Sequence, residues 1–150
     1  MPATLDFTQP AASVLLAQIN FDNNTTYTPD QIRVEQVASL PAGNQYGLNS
    51  IAFIAATQGA QLEGQDFFRY NRIDISTVPG QRSTSFTQGS AVYLSDLLPQ
   101  INAAWSLNLT AADVNDGVIP ASVDGNPVSF MMEISAGSIL WLNQVEITVS

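Results

Sequence analysis

The chain has 150 residues, enough for one compact domain or two small lobes sharing a core, and a hydrophobic content of 45% argues against global disorder. Only 11% of residues are charged, with 13 acidic side chains, four arginines and no lysine, for a formal charge of −9. That balance opposes binding to phosphate backbones or anionic membranes, which needs clustered cations, and the absence of Cys and His removes disulfides, thiol chemistry, and the commonest general base and metal ligand.

A globular protein ordinarily carries about 25% charged residues, so this surface must be built from Asn, Gln, Ser and Thr instead. Such a surface suits proteins packed in ordered assemblies or held outside the cell. The start of the chain, Met1-Pro2-Ala3-Thr4, shows no basic region leading into an apolar run and does not read as a secretory signal. No apolar stretch approaches the roughly 18 residues of a membrane span. The N-x-Thr sequons at Asn24 and Asn108 are then coincidences of an Asn- and Thr-rich chain.

Residues 3–8 alternate weakly and suggest a short edge strand. Pro10 suits a first helical turn, and Ala12, Leu15, Leu16 and Ile19 follow at helical spacing as one apolar stripe. Phe21-Asp22-Asn23-Asn24 ends that helix. Thr28-Pro29-Asp30-Gln31 has the T-x-x-Q form of a capping box and predicts a single capped turn. From Ile32 to Val37 apolar and polar residues alternate, the pattern of a half-buried strand, and Ile51 to Ala56 is a near-continuous apolar run that reads as a central strand. A third strand is expected from Phe67 to Ser76. It would place Asn71, Ile73 and Ile75 on one face and Tyr70, Arg72 and Asp74 on the other.

Residues 77–91 are polar and rich in Gly, Ser and Thr, which marks them as a boundary and a partner-seeking loop. Beyond it Leu94, Leu97, Leu98, Ile101 and Trp105 form a second apolar stripe, with Ser95 as a candidate cap and Pro99 early enough to be tolerated. Thr110-Ala111-Ala112-Asp113 repeats the capped turn. Val114 to Ile119 reads as a short strand or turn. After the turn at Asp124-Gly125-Asn126-Pro127, Val128–Ile134 and Ile139–Val149 read as a closing hairpin through Ala136-Gly137.

Leu97-Leu98-Pro99-Gln100-Ile101-Asn102 matches Leu15-Leu16-Ala17-Gln18-Ile19-Asn20 at five of six positions, with an offset of 82 (97 − 15). At the same offset Ser13 falls on Ser95, Thr28 on Thr110 and Ile32 on Val114. Asn71-Arg72-Ile73-Asp74-Ile75 mirrors Asn143-Gln144-Val145-Glu146-Ile147 at an offset of 72 (143 − 71). The expected fold is therefore α+β, mostly antiparallel β with two short helices. Two pseudo-repeated helix–turn–strand halves, residues 10–76 and 92–150, would be joined by the loop 77–91 and packed as a single domain over 1–150. Leu15, Leu16, Ile19, Leu97, Leu98 and Ile101 are the expected repeated core.

Candidate chemistry is sparse. Asp113-Val114-Asn115-Asp116-Gly117 has a calcium-loop flavour but departs from D-x-[DN]-x-[DN]-G and lacks the bidentate Glu, so an acidic turn is the better reading. Glu63, Asp66 and Asp74 offer carboxylates without a spacing that singles out an acid–base pair. Serine and threonine abound, but no His or Lys is present to activate them, and the glycines form no phosphate loop. No catalytic, cofactor or metal residue is assigned, and an enzyme is not expected. Trp105 and Trp141 could stack on a sugar but follow apolar runs, which favours packing. Asn71 and Asn143 fall in the apolar register of their strands and are expected to bond neighbouring loops. Arg69, Tyr70, Arg72 and Asp74, with Arg82 and Phe86 in the loop, are the candidate interface residues.

The run Leu97–Asn102, followed by Leu109-Thr110-Ala111-Ala112-Asp113-Val114, and the Gly64…Tyr70-Asn71-Arg72-Ile73-Asp74-Ile75 segment resemble small virion structural proteins of giant tailed bacteriophages, the phiKZ-like group. The resemblance spans most of the chain through short motifs. It implies a non-enzymatic role in a tail, neck or fibre apparatus, made in the host cytoplasm and carried in the virion. Partners would be copies of itself and other virion proteins, with no nucleic acid, membrane or cofactor. A carbohydrate-binding or adhesin module is the alternative.

Overall fold

The computed structural model describes residues 4–150, so the reading of Met1-Pro2-Ala3 lies outside the described residues. The fold is α+β, with two helices and mostly antiparallel strands, and it divides into two compact units, one through Arg72 and one from Ile73 onward. Residues 4–6 carry no strand and 7–9 form a turn in which Asp6 accepts from the backbone and hydroxyl of Thr8. These local bonds to the aspartate replace the edge strand expected there.

In the first unit α1 covers Ala11–Asn23. Pro10 stands just before it in extended conformation, where its carbonyl accepts from Ser13 and Val14 and its missing N–H is no loss. Val14, Leu15, Leu16 and Ile19 are buried, while Ala12 at the edge of the stripe is exposed. The helix stops at Asn24, in left-handed conformation at φ 52°, a geometry asparagine tolerates.

Three strands follow, β1 (Ile32–Ser39), β2 (Ser50–Ala56) and β3 (Gln65–Tyr70), paired antiparallel in the order β1-β2-β3. A bulge at Glu35 shifts the β1–β2 register between Val34 and Gln36. The third strand ends at Tyr70, short of its expected end at Ser76. The reason is Asn49, whose side-chain amide accepts from the Arg72 N–H at 2.7 Å and donates to the Arg72 carbonyl at 2.9 Å. A side chain thus takes the backbone groups that a neighbouring strand would have used.

The second unit begins with β4 (Ile73–Asp74), which runs parallel to β7 (Trp141–Leu142). A 3₁₀ turn over Ile75–Thr77 follows, capped by the Asp74 carboxylate accepting from Ser76 N–H. A second sheet has the order β5-β8-β6, with β5 (Ser85–Phe86) parallel to β8 (Gln144–Val149) and β6 (Val128–Glu133) antiparallel to it. Residues 77–91 therefore belong to this unit and supply a strand to it. The α2 helix (Leu94–Trp105) buries Leu94, Leu97, Leu98, Ile101 and Trp105. Its start is fixed by Asp96, whose carboxylate accepts from the N–H groups of Val92 and Tyr93, rather than by Ser95. The helix continues through Pro99, which faces solvent. In the expected closing hairpin, β6 pairs with β8 while residues 134–143 form a longer connection containing β7.

The helix ends of the two units carry the same hydrogen bonds at a spacing of 82 (102 − 20). Asn24 and Ser106 are both left-handed caps, at φ 52° and 58°, donating to the carbonyls of Asn20 and Asn102. The next residues, Thr25 and Leu107, donate to those same carbonyls. Thr28 N–H bonds the Gln31 side chain, and Thr110 N–H bonds the Asp113 side chain. The sheets do not correspond, since one is an antiparallel meander and the other is mixed. The recurrence therefore covers the helix end and the capped turn, and two pseudo-repeated halves are not established by the fold.

Candidate interaction surface

Alternation along β2 and β3 decides what the first unit shows to solvent. Residues paired across two strands share a face. Ile51 with Arg69, Phe53 with Phe67 and Ala55 with Gln65 therefore line one side of the sheet, while Ala52 with Phe68 and Ser50 with Tyr70 line the other. The second side is the inner one, where Ser50, Ala52 and Tyr70 are buried. On the first side Phe67 is 56% exposed and packs its ring against Phe53 at a centroid distance of 5.2 Å. Next to them the Arg69 guanidinium lies 4.1 Å over the ring of Tyr46, itself exposed. Arg33 is held by Glu35 at 2.6 Å, whereas Arg69 pairs with no carboxylate among the described residues. The result is an aromatic face bordered by one uncompensated cation.

The inner side is anchored by Arg72, only 3% exposed. Its Nε donates to Ser50 Oγ at 2.8 Å and its Nη2 to Ser39 Oγ at 2.6 Å. Burial lowers the guanidinium pKa from its ordinary value, and the nearby Tyr70 phenol opposes that shift. Burial likewise pushes the Tyr70 phenol up to about 12, with Arg72 opposing the rise. A cleft of about 470 Å³ opens between the end of α1 and this sheet, lined by Ile19, Tyr27, Ile54, Phe68, Glu63 and Asp66.

A second exposed apolar patch lies before α2 in the other unit. Tyr93 forms an antiparallel bridge with Val118, and Ile119 N–H bonds the Val92 carbonyl. Val92, Tyr93 and Val118 are 52%, 50% and 67% exposed. Asp96 and Asp116 border this patch. Asp96 uses Oδ2 for the backbone of Val92 and Tyr93, and Asp116 uses Oδ1 for Ser95 N–H. The other oxygen of each carboxylate has no protein partner among the described residues. The N–H donors of Tyr93 and Val92 hold the Asp96 carboxyl below the usual carboxylate range, so it is charged at neutral pH.

Of the six candidate interface residues, Arg69, Tyr70 and Arg72 lie in the first unit and Asp74, Arg82 and Phe86 in the second. Arg69 alone lies on the aromatic face. Tyr70 is buried because β3 turns it inward, Arg72 is buried just past the strand's end on the Ser50 and Ser39 hydroxyls, and their expected strand face shared with Asp74 is lost where the strand breaks. Asp74 is committed to Ser76 and to the Asn143 side-chain amide at 2.8 Å. Arg82 is exposed but donates to the Trp105 carbonyl, stapling the loop to the end of α2. Phe86 is a core residue, packed edge-on against Trp105 with centroids 5.9 Å apart. The exposed pair Asn71 and Asn143 do bond neighbouring segments, through Asn49 N–H and Asp74 respectively, but from the surface rather than from an apolar register.

The remaining chemical candidates resolve into structure. Asp113 is buried and accepts from Thr110 N–H and hydroxyl and, at 2.7 Å, from the Ser138 hydroxyl, which ties the capped turn to the β6–β7 connection. Among the described residues no group of three or more His, Cys, Asp or Glu could hold a metal ion, and no helix is long and apolar enough to cross a membrane. Trp105 and Trp141, 1% and 2% exposed, offer no ring face to a sugar.

Phe53, Phe67 and Tyr46, with Tyr93 and Val118, were not singled out by sequence. Ile51–Ala56 reads as buried on both faces because its run is continuous, and only pairing with Phe67 and Arg69 shows that one face is open. The signal available was the alternation Gln65, Phe67, Arg69 in β3. A family model described as "Family of unknown function (DUF7941)" matches residues 5–150. No curated protein and no solved structure matches the chain.

Proposed function

The chain belongs to DUF7941, a family of unknown function, and we propose, from its surface and its motifs, that it is a non-enzymatic structural component of a tailed-phage virion, assembling in symmetric multiple copies in the tail, neck or fibre apparatus. The observation that carries this reading is the open aromatic face of the β1-β2-β3 sheet, where Phe67 is 56% exposed beside Phe53 and Arg69, which pairs with no carboxylate among the described residues. An exposed ring on a regular sheet face, with a half-buried ring beside it and the exposed Tyr46 ring of the preceding loop close to Arg69, suits a surface that meets another protein. The short motifs at Leu97–Asn102, Leu109–Val114 and Tyr70–Ile75, with their resemblance to virion proteins of giant tailed phages, supply the setting.

In this reading the partners are copies of the chain and other virion proteins, with nucleic acid and membrane disfavoured by the charge of −9. The chain is made in the host cytoplasm and resides in the virion. No activated nucleophile supports hydrolytic chemistry, since the sequence holds neither His nor Lys. A carbohydrate-binding role through the tryptophans has lost its platform, because both are buried.

The test is the molar mass of the purified full chain, followed by light scattering as concentration is raised. Mass that climbs to a defined multiple of 16.1 kDa supports the proposal. A strictly monomeric chain that no particle or partner retains counts against it.

A further inference from the structure

We infer that copies of this chain join head to tail, the aromatic face of one copy's first unit docking on the apolar patch before α2 in the second unit of the next. The inference rests on the assembly reading above and specifies its contact. On one side stand Phe53 and Phe67 with Arg69, and on the other Val92, Tyr93 and Val118 with Asp96 and Asp116.

Charge chooses the occupant and the orientation. Both units are net negative, −3 from three Arg and six carboxylates and −6 from one Arg and seven, so the choice falls to the charges that border the two patches. Pairing the aromatic face with itself brings Arg69 toward Arg69. Pairing the second patch with itself brings Asp96 and Asp116 toward their own copies. Both like-charge arrangements are repelled as apolar area is buried. Only the unlike pairing sets the uncompensated guanidinium of Arg69 against carboxylates that each have an oxygen to spare. Planar, forked Arg is the cation suited to meeting a carboxylate at an interface. A contact between two different patches is heterologous. It generates a ring when the rotation closes and a filament when it does not, and either delivers many copies in symmetric array.

The experiment uses the full chain and two blocking substitutions, Phe67→Arg on the first surface and Val118→Arg on the second. Both positions are exposed, and unchanged far-UV circular dichroism and thermal transition confirm folding. Each variant alone is expected to be monomeric in sedimentation velocity at concentrations where the parent chain is oligomeric. Mixed in equal amounts, they are expected to form a dimer of one copy each and nothing larger, because one intact face and one intact patch remain. If Phe67→Arg disturbs the sheet, Arg69→Glu replaces it in the same design.

A mixture that stays monomeric overturns the head-to-tail contact, as does loss of association with only one of the two substitutions. A parent chain that never associates in solution overturns it too. Absence of the chain from purified particles is the separate outcome that overturns the virion role, so the two ideas fail independently.

Discussion

The side-chain amide of Asn102 closes on Leu109, donating to its carbonyl at 2.9 Å and accepting from its N–H at 2.8 Å. Asn20 closes on Tyr27 in the same way, at 2.8 Å for both bonds. In each case the helix has just turned through a left-handed cap, and one amide satisfies both backbone groups of a residue that has no strand beside it. Replacing Asn102 or Asn20 by Ala leaves that N–H and carbonyl without their partner. A loss of about 1–3 kcal/mol is expected in urea unfolding. Asn102→Asp keeps the acceptor and loses the donor, so it should fall between wild type and alanine. Losses below about 0.5 kcal/mol in both alanine variants, no more than an ordinary surface substitution, contradict the clamp.

The leucines and isoleucine of the repeated hexapeptide are core residues in both units, with Leu97 and Ile101 at 0% exposure. Leu97→Ala or Ile101→Ala is expected to cost about 2–5 kcal/mol by lost transfer energy and cavity formation. Ala103→Ser, on the exposed side of the same helix, is expected to stay within about 0.5 kcal/mol of the parent. Equal effects at the two kinds of position contradict the assigned helix face.

Tyr70 ionises late because its phenolate would be buried, with a pKa pushed up to about 12 from the model-peptide value of 10.0. Its folded pKa lies above its unfolded one, so between about 10 and 12 the unfolded state holds fewer protons. The stability associated with Tyr70 is present below pH 10 and is lost as pH rises through that window. Tyr70→Phe should remove one late phenolate step from the absorbance titration at about 295 nm and flatten the alkaline loss of stability. A titration unchanged by the substitution contradicts the burial of this hydroxyl.

Asp74 shows the opposite sign. The Ser76 hydroxyl, the Asn143 amide and the Ser76 N–H hold its carboxyl below the ordinary 3.8. Its folded pKa is depressed, so its contribution is present above pH 3.8 and lost as pH falls through the folded value. Asp74→Ala is expected to destabilise the chain modestly at pH 7, by about 0.5–1.5 kcal/mol for a largely solvated cap. The difference between variant and parent should shrink as the pH is taken below 3.8. A gap that is constant from pH 7 to pH 2.5 contradicts the assigned bonds.

Local pattern was enough for both helices, because four apolar residues at helical spacing in the first and five in the second needed only a surface to pack against. It also found the two capped turns at Thr28 and Thr110, whose bonds close within four residues. What sequence could not show depends on partners far along the chain. The expected strand 67–76 breaks because Asn49, 23 residues earlier, takes the backbone of Arg72. Phe86 lies in a polar loop by composition and is buried because β5 pairs with β8 near the C-terminus. The outward face of β2 is hidden in a continuous apolar run and emerges only from its register with Phe67 and Arg69. Asn71 and Asn143, aligned as matching strand residues, both prove to interrupt strands. Asn143 does so in left-handed conformation at φ 67°.

The most direct test of the proposed virion role is quantitative mass spectrometry of purified particles of a phage whose genome encodes this chain, with copy number set against that of the major capsid protein. The account predicts that the chain is retained through gradient purification at a fixed copy number that is a multiple of the symmetry of its location. A chain found only in the lysate, or in particles at variable trace amounts, contradicts it.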